Sequence, residues 1–211
     1  KIFRPKSIII TNKKKIISFK KKNKKLKIFN DYSSFEKIFS KKVDYVMSSI
    51  TGFNGLQPTI EIIKHTKTIA IANKESIICG WNIIKRIAKK NKTKLIPIDS
   101  EHYSIMKLTE NHKENEIEKV YITASGGPFL NLQINKFKNI KPTDAVKHPK
   151  WKMGKKISVD SSTLMNKILE LIEAQKIFPF NPKIYEIIIH PQSLVHAIVK
   201  FKNGITKLLY H

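Results

Sequence analysis

The sequence predicts an α/β chain: a largely parallel sheet covered by helices over residues 1–98, then a mixed α+β part over residues 99–211. Three observations predict it. Short β-branched runs alternate with helix-like segments through the first part, the rhythm of βαβ units. The composition changes at Asp99, beyond which turns and strand-sized runs surround one long helical pattern. Finally, 41% hydrophobic residues in a chain of 211 give enough apolar material for a buried core.

Each element has its own signal. Ser7-Ile-Ile-Ile-Thr11 reads as a strand, and the lysine-rich stretch after it as a polar helix or loop. Leu26 to Phe29 is a short strand. Ser33-Ser-Phe-Glu36 has the form of a capping box and opens a short helix through Phe39. Asp44 to Ser49 is strand-like, and Gly52, Asn54 and Gly55 mark the turn after it. Gln57 to Lys64 is a helix with Pro58 in its first turn, where proline is tolerated. Thr68 to Ala72 is a strand, followed by a helix to Lys90 and a strand from Lys94 to Ile98.

A helical stretch follows Asp99, and His112 to Lys119 reads as an exposed charged connection. Val120 to Ala124 is a strand ending in the Ser125-Gly-Gly-Pro128 turn, and residues 130–156 are turn-rich. Ser161 to Ile177 reads as one helix with Leu164, Ile168, Leu171 and Ile172 on its apolar face. Ile184 to Tyr210 holds two or three strands, with Asn203-Gly204 as a hairpin turn.

The formal charge is +25, from 41 basic and 16 acidic residues. Only Arg4 and Arg86 are arginine, whereas base-reading sites favour arginine's planar fork. Lysine is spread along the whole chain, as AT-rich codon use would produce. The densest run, Lys13 to Lys25, reads as a solvated face rather than a nucleic-acid arm. A basic surface still attracts a phosphorylated substrate. No apolar run has transmembrane length. Cys79 is the single cysteine, which excludes an intrachain disulfide and fits a reducing compartment.

Four groups of residues have chemical potential. Asp99 and Glu101 flank Ser100 where a strand ends; in extended backbone they face one way, and paired carboxylates invite Mg2+ or Mn2+. The alternative is an ordinary helix cap. Asn166, Lys167 and Glu170 share a helix face that Glu173 extends. Such a face is usually solvated, but this one follows Asp160-Ser-Ser-Thr163, read as hydroxyls at a helix start. Hydroxyls, an amide, an ammonium and a helix N-terminus suit a phosphate. Ser125-Gly-Gly-Pro128 lets backbone approach a ligand, or is only a turn. His148-Pro-Lys-Trp-Lys-Met-Gly154 is either a lid or a loop pinned by its large side chains.

Together these residues resemble the 1-deoxy-D-xylulose 5-phosphate reductoisomerase family. The resemblance rests on Ala72-Asn-Lys-Glu-Ser76, Asp99-Ser-Glu-His102, Ser125-Gly-Gly-Pro-Phe129, His148-Pro-Lys-Trp-Lys-Met-Gly154, Val159-Asp-Ser161 with Met165-Asn-Lys167 and Glu170, and Ile189-His-Pro-Gln-Ser193. It implies that residues 1–98 are the remainder of a Rossmann-like NADPH-binding domain and residues 99–211 the catalytic domain. It implies conversion of 1-deoxy-D-xylulose 5-phosphate to 2-C-methyl-D-erythritol 4-phosphate, an isoprenoid precursor, by metal-assisted rearrangement and hydride reduction from NADPH.

The resemblance assigns roles residue by residue. Asp99, Glu101 and Glu170 become ligands of Mn2+ or Mg2+, and with Lys74 and His148 they form the catalytic set. Ser125, Ser161, Asn166 and Lys167 go to the substrate's phosphate. Lys74, Ser100 and His148 contact substrate as well, Trp151 and Met153 belong to a closing lid, and Asn73, Glu75 and Gly154 touch NADPH. A homodimer in the bacterial cytoplasm or plastid stroma is implied, with neither nucleic acid nor membrane as partner.

Two departures stand out. The family's glycine-rich dinucleotide loop is missing, as is its C-terminal helical domain, so the chain reads as a fragment that binds NADPH poorly. Ile168 stands where the family usually has glycine, with the expectation of crowding beside the phosphate. The competing classes are a lysine-rich nucleic-acid-binding module and an inactive remnant. The presence of all three expected metal ligands argues against the remnant.

Overall fold

In a computed structural model, residues 3–147 and 154–210 are described. The chain divides into two compact units, Lys1–Ile96 and Pro97–His211.

The first unit begins with β1 (Ser7–Ile9), α1 (Lys13–Lys22) and β2 (Lys27–Phe29), in which β1 and β2 pair in parallel. The lysine-rich stretch is therefore helical. Asn12 starts it, its side chain accepting from the amides of Lys14 and Lys15. None of the α1 residues is buried, as a solvated face requires. A 3-10 turn leads into α2 (Phe35–Ile38). Asp31, not Ser33, caps this turn by accepting from the Ser34 amide, which corrects the capping-box expectation.

β3 (Val43–Ser48), α3 (Leu56–Ile62), β4 (Thr66–Ile71), α4 (Lys74–Lys90) and β5 (Lys94–Pro97) then build a sheet of order β3-β4-β5, with β3 and β4 parallel. β-Branched residues on β4 and the apolar face of α4 meet in a core that includes Ile63, Ile69, Ile77, Trp81 and Ile84. α3 and α4 approach closely because Gly80 has no Cβ; one there would run into the Leu56 side chain.

The second unit contains α5 (Ser100–Leu108), β6 (Ile117–Ala124), α6 (Pro142–Ala145), α7 (Lys155–Ser162), α8 (Met165–Ile177), β7 (Tyr185–Ile189), β8 (Val195–Phe201) and β9 (Thr206–Tyr210). Its sheet has the order β7-β6-β8-β9, with β6 parallel to β7 and antiparallel to β8. β8 and β9 form the expected hairpin, with Gly204 at a φ of +88° in its turn. α5 packs on β8 and β9, and α8 on α5, β6 and β7. The core between them includes Ile105, Val120, Ile122, Ala174, Val199 and Phe201.

Three local expectations are corrected. β6 starts at Ile117, inside the stretch read as an exposed connection, because buried Ile117 pairs with Phe201 of β8. The single helix expected over residues 161–177 is two helices. Leu164, at a φ of +59°, separates them: its amide donates to the Ser161 carbonyl, and its carbonyl accepts from the Lys167 amide. Asp160 to Thr163 thus closes α7 rather than opening a helix.

The third correction concerns which face of α8 is buried. Leu164 and Ile168 of the apolar stripe are exposed, Ile168 by 45%. Lys167, Glu170, Glu173 and Ala174 are buried instead. Ile168 therefore lies outside the buried face of α8. A charged helix face tolerates burial only when its charges meet partners, and these partners form the candidate site.

Candidate metal centre and anion cradle

Asp99 is the N-cap of α5, yet its side chain makes no capping hydrogen bond. Glu101 lies in the first turn, and Glu170 comes from the second turn of α8. One carboxylate oxygen from each of Asp99, Glu101 and Glu170 lies within 4.8 Å of the other two. The carboxylates of Asp99 and Glu101 converge at a helix start, not by strand alternation as the spacing argument had it. The cap position and the cluster are thus both real: the backbone occupies the cap, and the carboxylate goes to the cluster.

Each oxygen of Glu101 is engaged. The Lys167 ammonium donates to Oε1 at 2.6 Å, and the Ser100 hydroxyl donates to Oε2 at 2.7 Å. His196 of β8 places Nδ1 at 3.7 Å from Oε1. Burial alone would raise the Glu101 pKa, but His196 and Lys167 outweigh it and hold the carboxyl well below its ordinary range. Lys167 also pairs with Glu170, to which the Asn166 amide donates. Burial works against the ammonium, yet attraction to Glu101 and Glu170 prevails and raises its pKa.

This donor set fits a hard divalent cation. It is all oxygen, it comes from three separate carboxylates, and Glu101 and Glu170 are buried. Carboxylates so close repel one another unless positive charge lies among them. Oxygen donors in such a set suit Mg2+ or Mn2+.

A glycine turn adjoins the helices. Gly126 and Gly127 have φ values of +89° and +70°. A Cβ on Gly127 would lie 2.6 Å from the Ser161 carbonyl oxygen, so the missing side chain is what lets the Ser125 turn rest on the end of α7. A cavity of about 450 Å3 opens beside Ser125, Gly127, Asn131 and Pro191. Ser162 and Thr163, from the hydroxyl cluster, donate to carbonyls of their own helix. Asn166 and Lys167, expected at a phosphate, meet the carboxylates here.

In the first unit, Asn73 caps α4 by accepting from the Ser76 amide at 2.6 Å. Its amide donates to the carbonyls of Ile50 and Gly52, tying the loop after β3 to the helix. Lys74 and Glu75 occupy the first turn of α4. Gly154 is the exposed N-cap of α7, while His148, Trp151 and Met153 lie outside the described residues.

Three participants had no role from sequence. His102 is fully buried and Glu173 is 1% exposed. His196 reaches Glu101 from a strand 95 positions later, a placement that no local spacing reveals. His102 stood inside a quoted motif, and Glu173 lay on the polar face of the helix.

Comparisons with known proteins point to one family. Residues 1–80 match the family model described as 1-deoxy-D-xylulose 5-phosphate reductoisomerase, and residues 95–178 match that of the family's C-terminal domain. The Pelagibacter ubique protein of this name is 58% identical over 215 residues, covering 100% of this chain and 55% of the relative. The Treponema denticola protein of the same name is 48% identical, covering 89% of this chain and 50% of the relative. The chain thus spans about half the length of the curated relatives it matches.

Among solved structures, a DOX-P reductoisomerase in complex with NADPH, fosmidomycin and magnesium superposes with a TM-score of 0.87 at 34% identity. It covers 99% of this chain and 55% of its own. The Zymomonas mobilis enzyme in complex with NADPH gives 0.84 at 32% identity, over 97% of this chain and 53% of its own. The fold of both units, the converging carboxylates and the relatives agree: the chain belongs to the 1-deoxy-D-xylulose 5-phosphate reductoisomerase family.

Proposed function

We propose that this chain carries the metal and substrate groups of an NADPH-dependent reductoisomerase acting on 1-deoxy-D-xylulose 5-phosphate and yielding 2-C-methyl-D-erythritol 4-phosphate. The observation that carries the reading is the convergence of Asp99, Glu101 and Glu170 within 4.8 Å, beside Lys167 and Asn166. The reading extends to a homodimer in a reducing compartment, the cytoplasm or a plastid stroma.

Asp99, Glu101 and Glu170 would hold the Mg2+ or Mn2+. When bound, that cation supplies Lewis-acid polarisation of the substrate's carbonyl and hydroxyl oxygens. Ser100 keeps Glu101 oriented by its hydrogen bond, and is assigned to the substrate as well. Asn166 and Lys167 share one turn of α8, so that turn serves both the carboxylates and an incoming phosphate. Ser125 and Ser161, brought close by Gly127, would complete the phosphate contacts. Lys74 and His148 are assigned to the substrate, and Trp151 and Met153 to a lid that shields the reactive aldehyde from water. Asn73, Glu75 and Gly154 are assigned to NADPH.

The test is NADPH consumption by the whole protein with 1-deoxy-D-xylulose 5-phosphate, with and without Mn2+ or Mg2+. Metal-dependent consumption supports the reading. A loaded protein that consumes no NADPH with this substrate overturns it.

A further inference from the structure

Glu173 is a carboxylate buried to 1% exposure on α8, one turn beyond Glu170. Burying an ionised carboxylate costs several kcal/mol unless partners compensate, so packing alone would favour an apolar residue here. Its surroundings are polar. One Glu173 oxygen, one Asp99 oxygen and one His102 ring nitrogen lie within 4.8 Å of one another. Asp99 therefore belongs to two clusters at once, the three-carboxylate cluster and this one.

His102 joins the two helices. Its ring is fully buried, and Nε2 lies 2.8 Å from the main-chain carbonyl oxygen of Glu170. A carbonyl only accepts, so Nε2 carries a proton and donates. The imidazole thereby holds the α8 backbone at the residue that supplies one carboxylate of the site. The same ring stands beside Asp99, which supplies another.

We infer that Glu173 is a positioning residue for the cation site: acting through His102, it sets the orientation of Asp99 and the spacing between the start of α5 and α8. The inference rests on reading Asp99, Glu101 and Glu170 as cation ligands. In this reading Glu173 is not itself a ligand of the cation. Its effect is on how well three carboxylates from two helices are arranged before the ion arrives. Outer groups of this kind typically change metal affinity by about 10- to 100-fold when removed.

The test uses Mn2+ alone, titrated into the chain and followed by the electron paramagnetic resonance of free and bound ion. Wild type is expected to bind and D99N to lose binding. Glu173→Gln, which keeps shape and removes charge, is expected to raise the Mn2+ Kd about 10-fold or more. It is also expected to alter the spectrum of the bound ion, a signature that a merely structural role would leave alone. E173Q binding Mn2+ as wild type does, with the same spectrum, overturns the inference while the site reading stands. Wild type without Mn2+ binding, or D99N binding normally, overturns the site reading and the inference with it. Should E173Q fail to fold, E173D retracts the carboxylate by one methylene and retains its charge. A raised Kd and altered spectrum in E173D support the inference, and unchanged values overturn it.

Discussion

The ammonium of Lys167 sits 2.6 Å from a carboxylate oxygen of Glu101 and pairs at the same time with Glu170, joining α5 and α8 in a buried ionic cluster. Removing one member of a buried ion pair is costly because the other charge stays behind unpaired, typically by about 3–5 kcal/mol. K167M should therefore lower the stability of the metal-free chain by about 3 kcal/mol in urea unfolding. Mn2+ should recover part of that loss, since an ion bound to the native state stabilises it. No change in midpoint for K167M would contradict the role given to this ion pair.

Acid and alkali should each weaken the metal-free chain, through different groups. The Glu101 carboxyl is depressed in the folded state, so its contribution is complete above roughly pH 4.3 and disappears as pH falls through the folded value. The Lys167 ammonium is raised, so its contribution is complete below roughly pH 10.4 and is lost as pH climbs through the folded value. Urea midpoints measured from acid to alkali should therefore form a plateau with a fall at each end. In E101Q the acid fall should shrink.

In the whole protein, Glu170→Gln should reduce turnover by about 100-fold or more while NADPH affinity stays near wild type. Glu170 is assigned to the cation, whereas Asn73, Glu75 and Gly154 are the residues assigned to NADPH. Steady-state rates alongside NADPH fluorescence titration separate the two effects. Unimpaired turnover in E170Q would remove Glu170 from the proposed cation site.

Glycine substitutions should separate a close approach from a plain turn. At Gly127 both a positive φ and the Ser161 carbonyl oppose a side chain, so G127A should cost about 1–3 kcal/mol and raise the substrate KM. At Gly204 the φ is also positive but nothing lies within 4 Å of a Cβ. G204A should then show only the backbone cost, about 1 kcal/mol, with an unchanged KM. Thermal unfolding and initial rates on the pair check both halves.

Asn73 makes a fourth kind of contact, holding a loop as well as a cap. N73A loses the cap, worth about 1 kcal/mol, and the two bonds to the carbonyls of Ile50 and Gly52. N73D keeps the cap acceptor but sets a carboxylate oxygen against those carbonyls, so it should be no more stable than N73A. Urea unfolding of the two variants side by side decides this.

Much of the chain could be read locally. The periodicity of β3, α4 and the β8–β9 hairpin is written in adjacent residues, as are the turn glycines and the residues that recur as family motifs. Asp99, Glu101, Glu170, Asn166 and Lys167 were legible as candidates because each stands in such a motif. Other features depend on partners remote in sequence. Leu164 breaks one helical pattern into two because the backbone must turn between α7 and α8, against its side chain's own preference. Burial of Lys167, Glu170 and Glu173 in place of Leu164 and Ile168 follows from where α5 lies, and a helix read alone shows only that it has a polar face. His196 meets Glu101 because α5 packs on β8, and His102 meets the Glu170 carbonyl because α5 packs on α8. Residue types and short-range periods therefore determine the elements and the cast of the site. Which charged side chains are taken out of water, and which neighbours then compensate them, is decided only when two helices and a sheet close on one another. Burial and charge pairing are properties of that assembly, not of any single segment.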